Sequence, residues 1–233
     1  QPGATPSKFT LTRHDTSTKQ FSARYGNRTI APSTDGITEV NALLDMIFEQ
    51  EETAKYLCRR LYRWFVYYVI DEAAEANVIV PMANILRQNN YNVLPALRAL
   101  FQSAHFYDPL NMGCMIKSPL EFAVGIPRIF SLPYPADVAT RYKVYYYIAT
   151  QAAAMQQDIA DPPSVAGWPA YHQSPQFYEL WINSDTLPRR ATLSNLLVKN
   201  GYSTSGFKYA ADVITFTANL PDSRNIDALI EES

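Results

Sequence analysis

The residues of this 233-residue chain with the most direct access to chemistry are three histidines, two cysteines and one serine set among prolines. His14, His105 and His172 are far apart in sequence, and none forms an i, i+4 ligand pair or an HExxH. Their nearest carboxylates are Asp15, Asp108 and, further off, Glu179. A metal site would have to assemble from distant segments, so no metal is expected. Cys58 and Cys114 are too few for a closed thiolate zinc site. Cys58 falls in an apolar helical stripe and reads as a buried thiol, while a Cys58–Cys114 disulfide stays open because sequence carries no distance. Ser164 stands in Pro-Pro-Ser-Val, without the Gly-x-Ser-x-Gly spacing of a nucleophile elbow. No Gly-rich phosphate cradle occurs, and no cofactor is expected.

Charged and aromatic residues are more suggestive. Lys55, Arg59 and Arg63 repeat at steps of four, beside Arg60. Such a face can hold an anion or an acidic glycan, or it can be a solvated face on which Glu51 and Glu52 pair with Lys55 and Arg59; the second reading is the simpler. Lys117, just before a helix start, has either a buried partner such as Asp108 or Asp161, or simple exposure. The chain holds 16 Tyr, and runs such as Tyr67-Tyr68 and Tyr145-Tyr146-Tyr147 must point several ways around a helix, leaving some rings for sugars or a protein partner. Residues 158–184 hold four Pro, one Gly and two Trp, with no helical period. The candidate binding surface centres there: Lys117, Asp161, Trp168, Tyr171, His172, Trp181 and Asn183. The structural alternative is that the Trp rings pin a Pro-rich loop onto helices, with Asn183 or Ser184 capping the next one.

The elements that must position these residues are mainly helices. Residues 1–34 read as an irregular arm in which Lys8–Thr12 and Lys19–Ser22 form a short hairpin around a polar turn. From Asp35 the 3.6-residue period dominates, giving a helical domain over 35–233. Val40, Leu43, Leu44, Ile47 and Phe48 form one apolar face. Ala54, Leu57, Cys58, Leu61, Phe65 and Tyr68 form another, on a helix near 52–69. A helix near 78–89 tolerates Pro81 only in its first turn. Asn92 caps a helix with the face Val93, Leu97, Leu100, Phe101 and Ala104. Ser118-Pro119-Leu120-Glu121 is a capping box with Pro at the first helical position, and its helix should reach Phe130. A long helix from Asp137 to Gln157 turns Val144, Ile148, Ala152 and Met155 inward. A further helix restarts at Asp185 or Thr186 and ends at Gly201; Tyr209–Asn219 and the stretch from Ile226 read as two more.

Composition agrees. Hydrophobic residues make up 47% and charged residues 18%, which suits a packed domain. The 8 Gly are few for a fold of many tight hairpins, whereas the 16 Pro sit between periodic runs. A net charge of −2 supplies no field for a phosphate backbone, so nucleic acid is not expected as a partner. No apolar run approaches the roughly 18 residues of a membrane span. The expected fold is all-α, an irregular orthogonal array of about seven or eight helices with a short β-like N-terminal arm and a long Pro/Trp-rich loop.

Three segments carry a resemblance. They are Glu52-Thr53-Ala54-Lys55-Tyr56-Leu57-Cys58-Arg59-Arg60-Leu61-Tyr62-Arg63-Trp64-Phe65-Val66; Phe106-Tyr107-Asp108-Pro109 with Ile116 to Phe122; and Pro162-Pro163-Ser164-Val165-Ala166-Gly167-Trp168-Pro169 followed by Trp181-Ile182-Asn183-Ser184, Thr186-Leu187 and Arg189. Together with His14-Asp15 and Lys19 they resemble the C-terminal part of the bacterial family called domain of unknown function 1800. The chain departs from that pattern between Trp168 and Trp181, where Tyr171, His172, Gln173 and Tyr178 replace a short Gly-rich link. The resemblance implies a fragment of a longer, largely helical, exported protein at the periplasm or cell surface; the irregular character of the arm 1–34 leads us to expect that it packs on missing N-terminal sequence. It also implies a sulfatase-like neighbour family as a partner, and it assigns no catalytic residues. The expected function is a non-catalytic binding or structural module for a glycan or a protein. The alternative is part of a hydrolase-like enzyme whose site needs the absent N-terminal half.

Overall fold

Asp35 starts the first helix. Its carboxylate accepts from the Ile37 amide at 3.1 Å and so satisfies one of the free N–H groups at the start of α1 (Gly36–Glu49). The structure, a computed structural model, describes residues 9–220 and Asn225, and divides into two units, Gln1–Cys114 and Met115–Ser233. The described residues are mostly helical with two short antiparallel strand pairs, an all-α fold with a short β-like arm. None of their helices is long and apolar enough to cross a membrane.

In unit 1 the arm pairs differently from the expected hairpin. Leu11–Arg13 form a 3-10 turn, and β1 (Lys19–Gln20) pairs with β2 (Thr29–Ile30) downstream of it. Gly26 and Asn27, with φ of 66° and 54°, supply the reversal; these two residue types enter the left-handed region readily. The segment before β1 has no such turn. In α1 only Met46 is fully buried, and Val40, Leu44 and Phe48, expected on its covered face, are exposed.

α2 (Glu51–Phe65) buries Ala54, Cys58 and Tyr62 at successive steps of four, continued by Val66. Leu57 and Phe65, expected on that face, are exposed, and Tyr68 lies past the helix end. The buried edge is the one α2 presents to the next long helix. That helix is continuous: α3 (Glu72–Ala74), a π turn (Glu75–Ile79) and α4 (Val80–Gln88), capped by Asp71, which accepts from the Ala74 amide at 2.7 Å. Pro81 therefore sits inside a helix rather than in its first turn. Proline has no N–H and crowds the carbonyl four residues back, and the wider π turn directly ahead relieves that crowding. Asn92 caps α5 (Val93–Phe101) as expected, accepting from Leu94 at 3.2 Å, whereas Ala104 lies beyond the helix and is exposed. Ile79, Met82, Ala83, Leu86, Ala96 and Leu100 complete the core around the α2 stripe.

Both thiols in unit 1 are free. Burial pushes Cys58 up to about 11, and the half-buried Cys114 donates to the Asn111 and Val66 carbonyls at 3.0 and 3.3 Å. Two members of the basic cluster are ion-paired: Arg59 bonds both oxygens of Glu75 at 2.7 and 2.8 Å and also reaches Glu52, while Lys55 lies 3.9 Å from Glu51. His105 is engaged too, its Nε2 lying 2.8 Å from the Tyr62 hydroxyl.

Unit 2 begins with the predicted capping box. Ser118 Oγ accepts from the Glu121 amide at 3.2 Å, and Glu121 accepts from the Ser118 amide at 2.8 Å, at the head of α6 (Pro119–Ile129). The helix stops where Ser131 turns left-handed (φ 50°) and the Leu132 amide reaches back to the Pro127 carbonyl at 2.9 Å. α7 (Val138–Ala154) is capped by Asp137 and buries Thr140, Val144, Ile148 and Ala152, followed by Met155, as the period predicts. α8 (Thr186–Asn195) continues through a π turn (Leu196–Asn200) to Gly201. The stretch expected to start a helix at Tyr209 instead completes a hairpin, β3 (Tyr202–Thr204) with β4 (Phe207–Tyr209), and α9 covers only Val213–Ala218. Ser205 and Gly206 both have positive φ, the backbone that a two-residue hairpin turn needs. Ala123, Leu132, Val144, Ile148, Ala152, Met155, Leu193, Leu197 and Tyr209 form this unit's core. The expected helix from Ile226 lies outside the described residues.

Candidate functional site

The Pro- and Trp-rich segment is built as two 3-10 turns, Pro169–Tyr171 and Phe177–Trp181. Its rings form a relay: Trp168 stands edge-on to Tyr171 with centroids 6.4 Å apart, and Tyr171 edge-on to Trp181 at 5.4 Å. Gln157 fixes the middle of that relay. Buried at the end of the α7 segment, it accepts from the Leu120 amide at 2.8 Å and donates to the Tyr171 hydroxyl at 3.0 Å. Asn183 takes the capping position before α8, accepting from Asp185 and Thr186 at 2.9 Å each, and its amide donates to Gln156.

Of the seven residues singled out from sequence, Trp168, Tyr171 and Trp181 are brought together. Trp181 is buried, so its ring is not a stacking face, and Trp168 and Tyr171 are half-buried. Lys117, Asp161, His172 and Asn183 are exposed, and no hydrogen bond or ion pair joins Lys117, Asp161 and His172 to one another. The Lys117 carbonyl accepts from Arg190 Nη2 at 2.9 Å. Arg190 is the buried cation of this region; its guanidinium lies 5.0 Å over the Phe122 ring, and burial lowers its pKa. Neither Arg190 nor Gln157 stands out in the sequence, because each bonds a residue well outside its own element, Arg190 the Lys117 carbonyl and Gln157 both Leu120 and Tyr171. Among the described residues no group of three or more His, Cys, Asp or Glu is placed to hold a metal ion.

A more exposed aromatic surface of unit 2 lies on α7. The buried stripe at steps of four leaves positions two residues away on the opposite side, since each residue advances about 100°. Tyr142 and Tyr146 occupy those positions, one turn apart, and are 67% and 73% exposed. Tyr145 stands edge-on to Tyr142 at 6.1 Å and meets Tyr134 at 5.3 Å. Tyr134 in turn packs on the buried Tyr209 at 5.4 Å. Arg141 holds the preceding loop, donating to the Pro135 and Ala136 carbonyls at 2.9 and 3.2 Å. On the flank, Tyr147 stacks flat on Tyr202 at 3.9 Å, and Lys143 donates to Ser205 at 2.8 Å. The surface is four tyrosines on a supported helix and loop, with little chain freedom left to lose on binding. The triple-tyrosine run was legible in sequence; the addition of Tyr134 was not, because the Tyr209 contact selects it.

No curated protein and no solved structure matches the chain. A family model does, over residues 2–232, nearly its whole length. The chain belongs to the family described as protein of unknown function DUF1800.

Proposed function

We propose that this chain is a non-catalytic binding module of a longer, exported bacterial protein, and that its ligand is a glycan held on Tyr134, Tyr142, Tyr145 and Tyr146. One observation carries the reading: Tyr142 and Tyr146 expose most of their rings side by side on one helical face. A tyrosine ring offers an apolar face to the C–H side of a sugar while its hydroxyl stays wet. A purely hydrophobic partner would be met as well by leucine or phenylalanine, which this face does not use.

Affinity electrophoresis through soluble polysaccharides, followed by calorimetric titration, tests the proposal. At least one polysaccharide should retard the protein. The double variant Tyr142→Ala/Tyr146→Ala should bind about tenfold or more weakly with little change in unfolding temperature, the equivalent of about 1.4 kcal/mol or more. Equal binding by the double variant, or no retardation by any polysaccharide, overturns the glycan reading. Release of new reducing ends from a retained polysaccharide overturns the non-catalytic reading in favour of a hydrolase.

A further inference from the structure

Unit 1 holds a cleft of about 450 Å³ that the tyrosine surface does not involve. Phe9, Phe21, Ile30, Ile37, Val40 and Leu43 wall it. One end is polar, where Glu39 receives His14 Nε2 at 3.0 Å, Lys19 Nζ at 3.1 Å and the Ser33 amide at 2.7 Å. These donors hold Glu39 at about 2, so it stays ionised, with Lys19 as its counter-charge. The contacts explain why Glu39 is there: it ties the arm to α1. They do not explain the walls. Ile37 and Val40 are 65% and 51% exposed, and Phe9 is exposed as well, although this is the apolar face of an amphipathic helix.

We infer that this cleft binds a small amphipathic molecule with an apolar body and an uncharged, hydrogen-bond-accepting head, such as a medium-chain alcohol, ester or amide. The volume falls in the ordinary range of small-ligand sites, and mostly apolar walls with a few convergent polar groups are their usual make-up. The head is set by the donors left over. An ammonium has three N–H groups, and Lys19 uses two, on Glu39 and on the Asp15 carbonyl. His14 donates from Nε2 to Glu39, which in the neutral ring leaves Nδ1 as an acceptor, so the donor left for a ligand is the third N–H of Lys19. An acceptor head entering along the apolar walls meets that N–H, and a hydroxyl head can also donate to Nδ1. A carboxylate head would be repelled by Glu39, whose charge Lys19 already balances, and by the nearby Asp15. A concave site with one polar end suits a small molecule better than the flat face of a second copy.

The probe is N-phenyl-1-naphthylamine, an uncharged apolar fluorophore, titrated into the full chain. Its emission should rise and saturate at one per chain, and 1-decanol should displace it about tenfold better than decanoate. Val40→Trp, which fills the cleft from an exposed position, should abolish uptake, whereas Ile214→Trp, on exposed surface in unit 2, should not. Lys19→Met should weaken decanol several-fold while leaving uptake of the fluorophore intact. Unchanged uptake in Val40→Trp overturns the site, and equal displacement by decanoate overturns the uncharged head. Dimerisation in sedimentation that Val40→Trp abolishes, without fluorophore uptake by the parent chain, assigns the cleft to a second copy instead.

Discussion

Glu39 shows how a single residue can be silent in sequence and central in structure. It lies in the first turn of α1, where an acidic side chain already suits the helix dipole. Three donors drawn from residues 14, 19 and 33 converge on it, and no local pattern announces them. Its carboxyl is held at about 2, against an ordinary value of 4.5. A depressed carboxylate contributes its full stability above the ordinary value and loses it as pH falls toward the folded one. Glu39→Gln should therefore lower the unfolding temperature at neutral pH, and the gap from the parent chain should close between about pH 5 and pH 2. A gap that stays constant across an acid titration would show that the charge is not what stabilises. His105 and Lys117 teach the reverse lesson. Their residue types invite chemistry, yet His105 bonds a buried tyrosine and Lys117 is solvated.

At the scale of elements, what sequence could show was whatever a short stretch decides for itself. Asn92, Ser118 with Glu121, and Asp137 each cap a helix through bonds within three residues, so the starts of α5, α6 and α7 are legible. The roll of a helix is not, since it depends on what arrives opposite. Leu57 and Phe65 are as apolar as Tyr62, but α2 meets its neighbour along the 54–58–62 edge. The π turn at Glu75–Ile79 escapes because the 3.6 period carries no mark for an added residue. The second hairpin did leave a signal: Ser205-Gly206 between Tyr202 and Phe207, a turn dipeptide between β-favouring residues. Ahead of it, Gly201 has φ 70°, and a Cβ there would lie 2.5 Å from Ala210 Cβ and 2.9 Å from the Tyr209 carbonyl. Gly201→Ala should cost about 1–3 kcal/mol. A calorimetric scan should show the loss, while a helix-surface change such as Thr192→Ala leaves the midpoint nearly in place.

For the whole molecule, the organising fact is two hydrophobic cores, one in each unit. An apolar period marks helices as amphipathic but does not say which of them share a core, so this division was not legible. Each core should fail on its own terms. Leu86→Ala and Leu193→Ala each remove a buried side chain and should each cost about 2–5 kcal/mol. Hydrogen exchange should then quicken mainly across residues 9–114 for the first and across 115–220 for the second. Uniform quickening in both variants would mean that the chain opens as one cooperative body.

The two thiols have a consequence for where such a chain can work. Cys58 and Cys114 are its only cysteines, and both are free, the first sealed in a core and the second donating to backbone carbonyls. No covalent cross-link between them holds the fold, so a reductant finds no bond there to break. A reducing or an oxidising surrounding therefore leaves the covalent framework of the described residues the same.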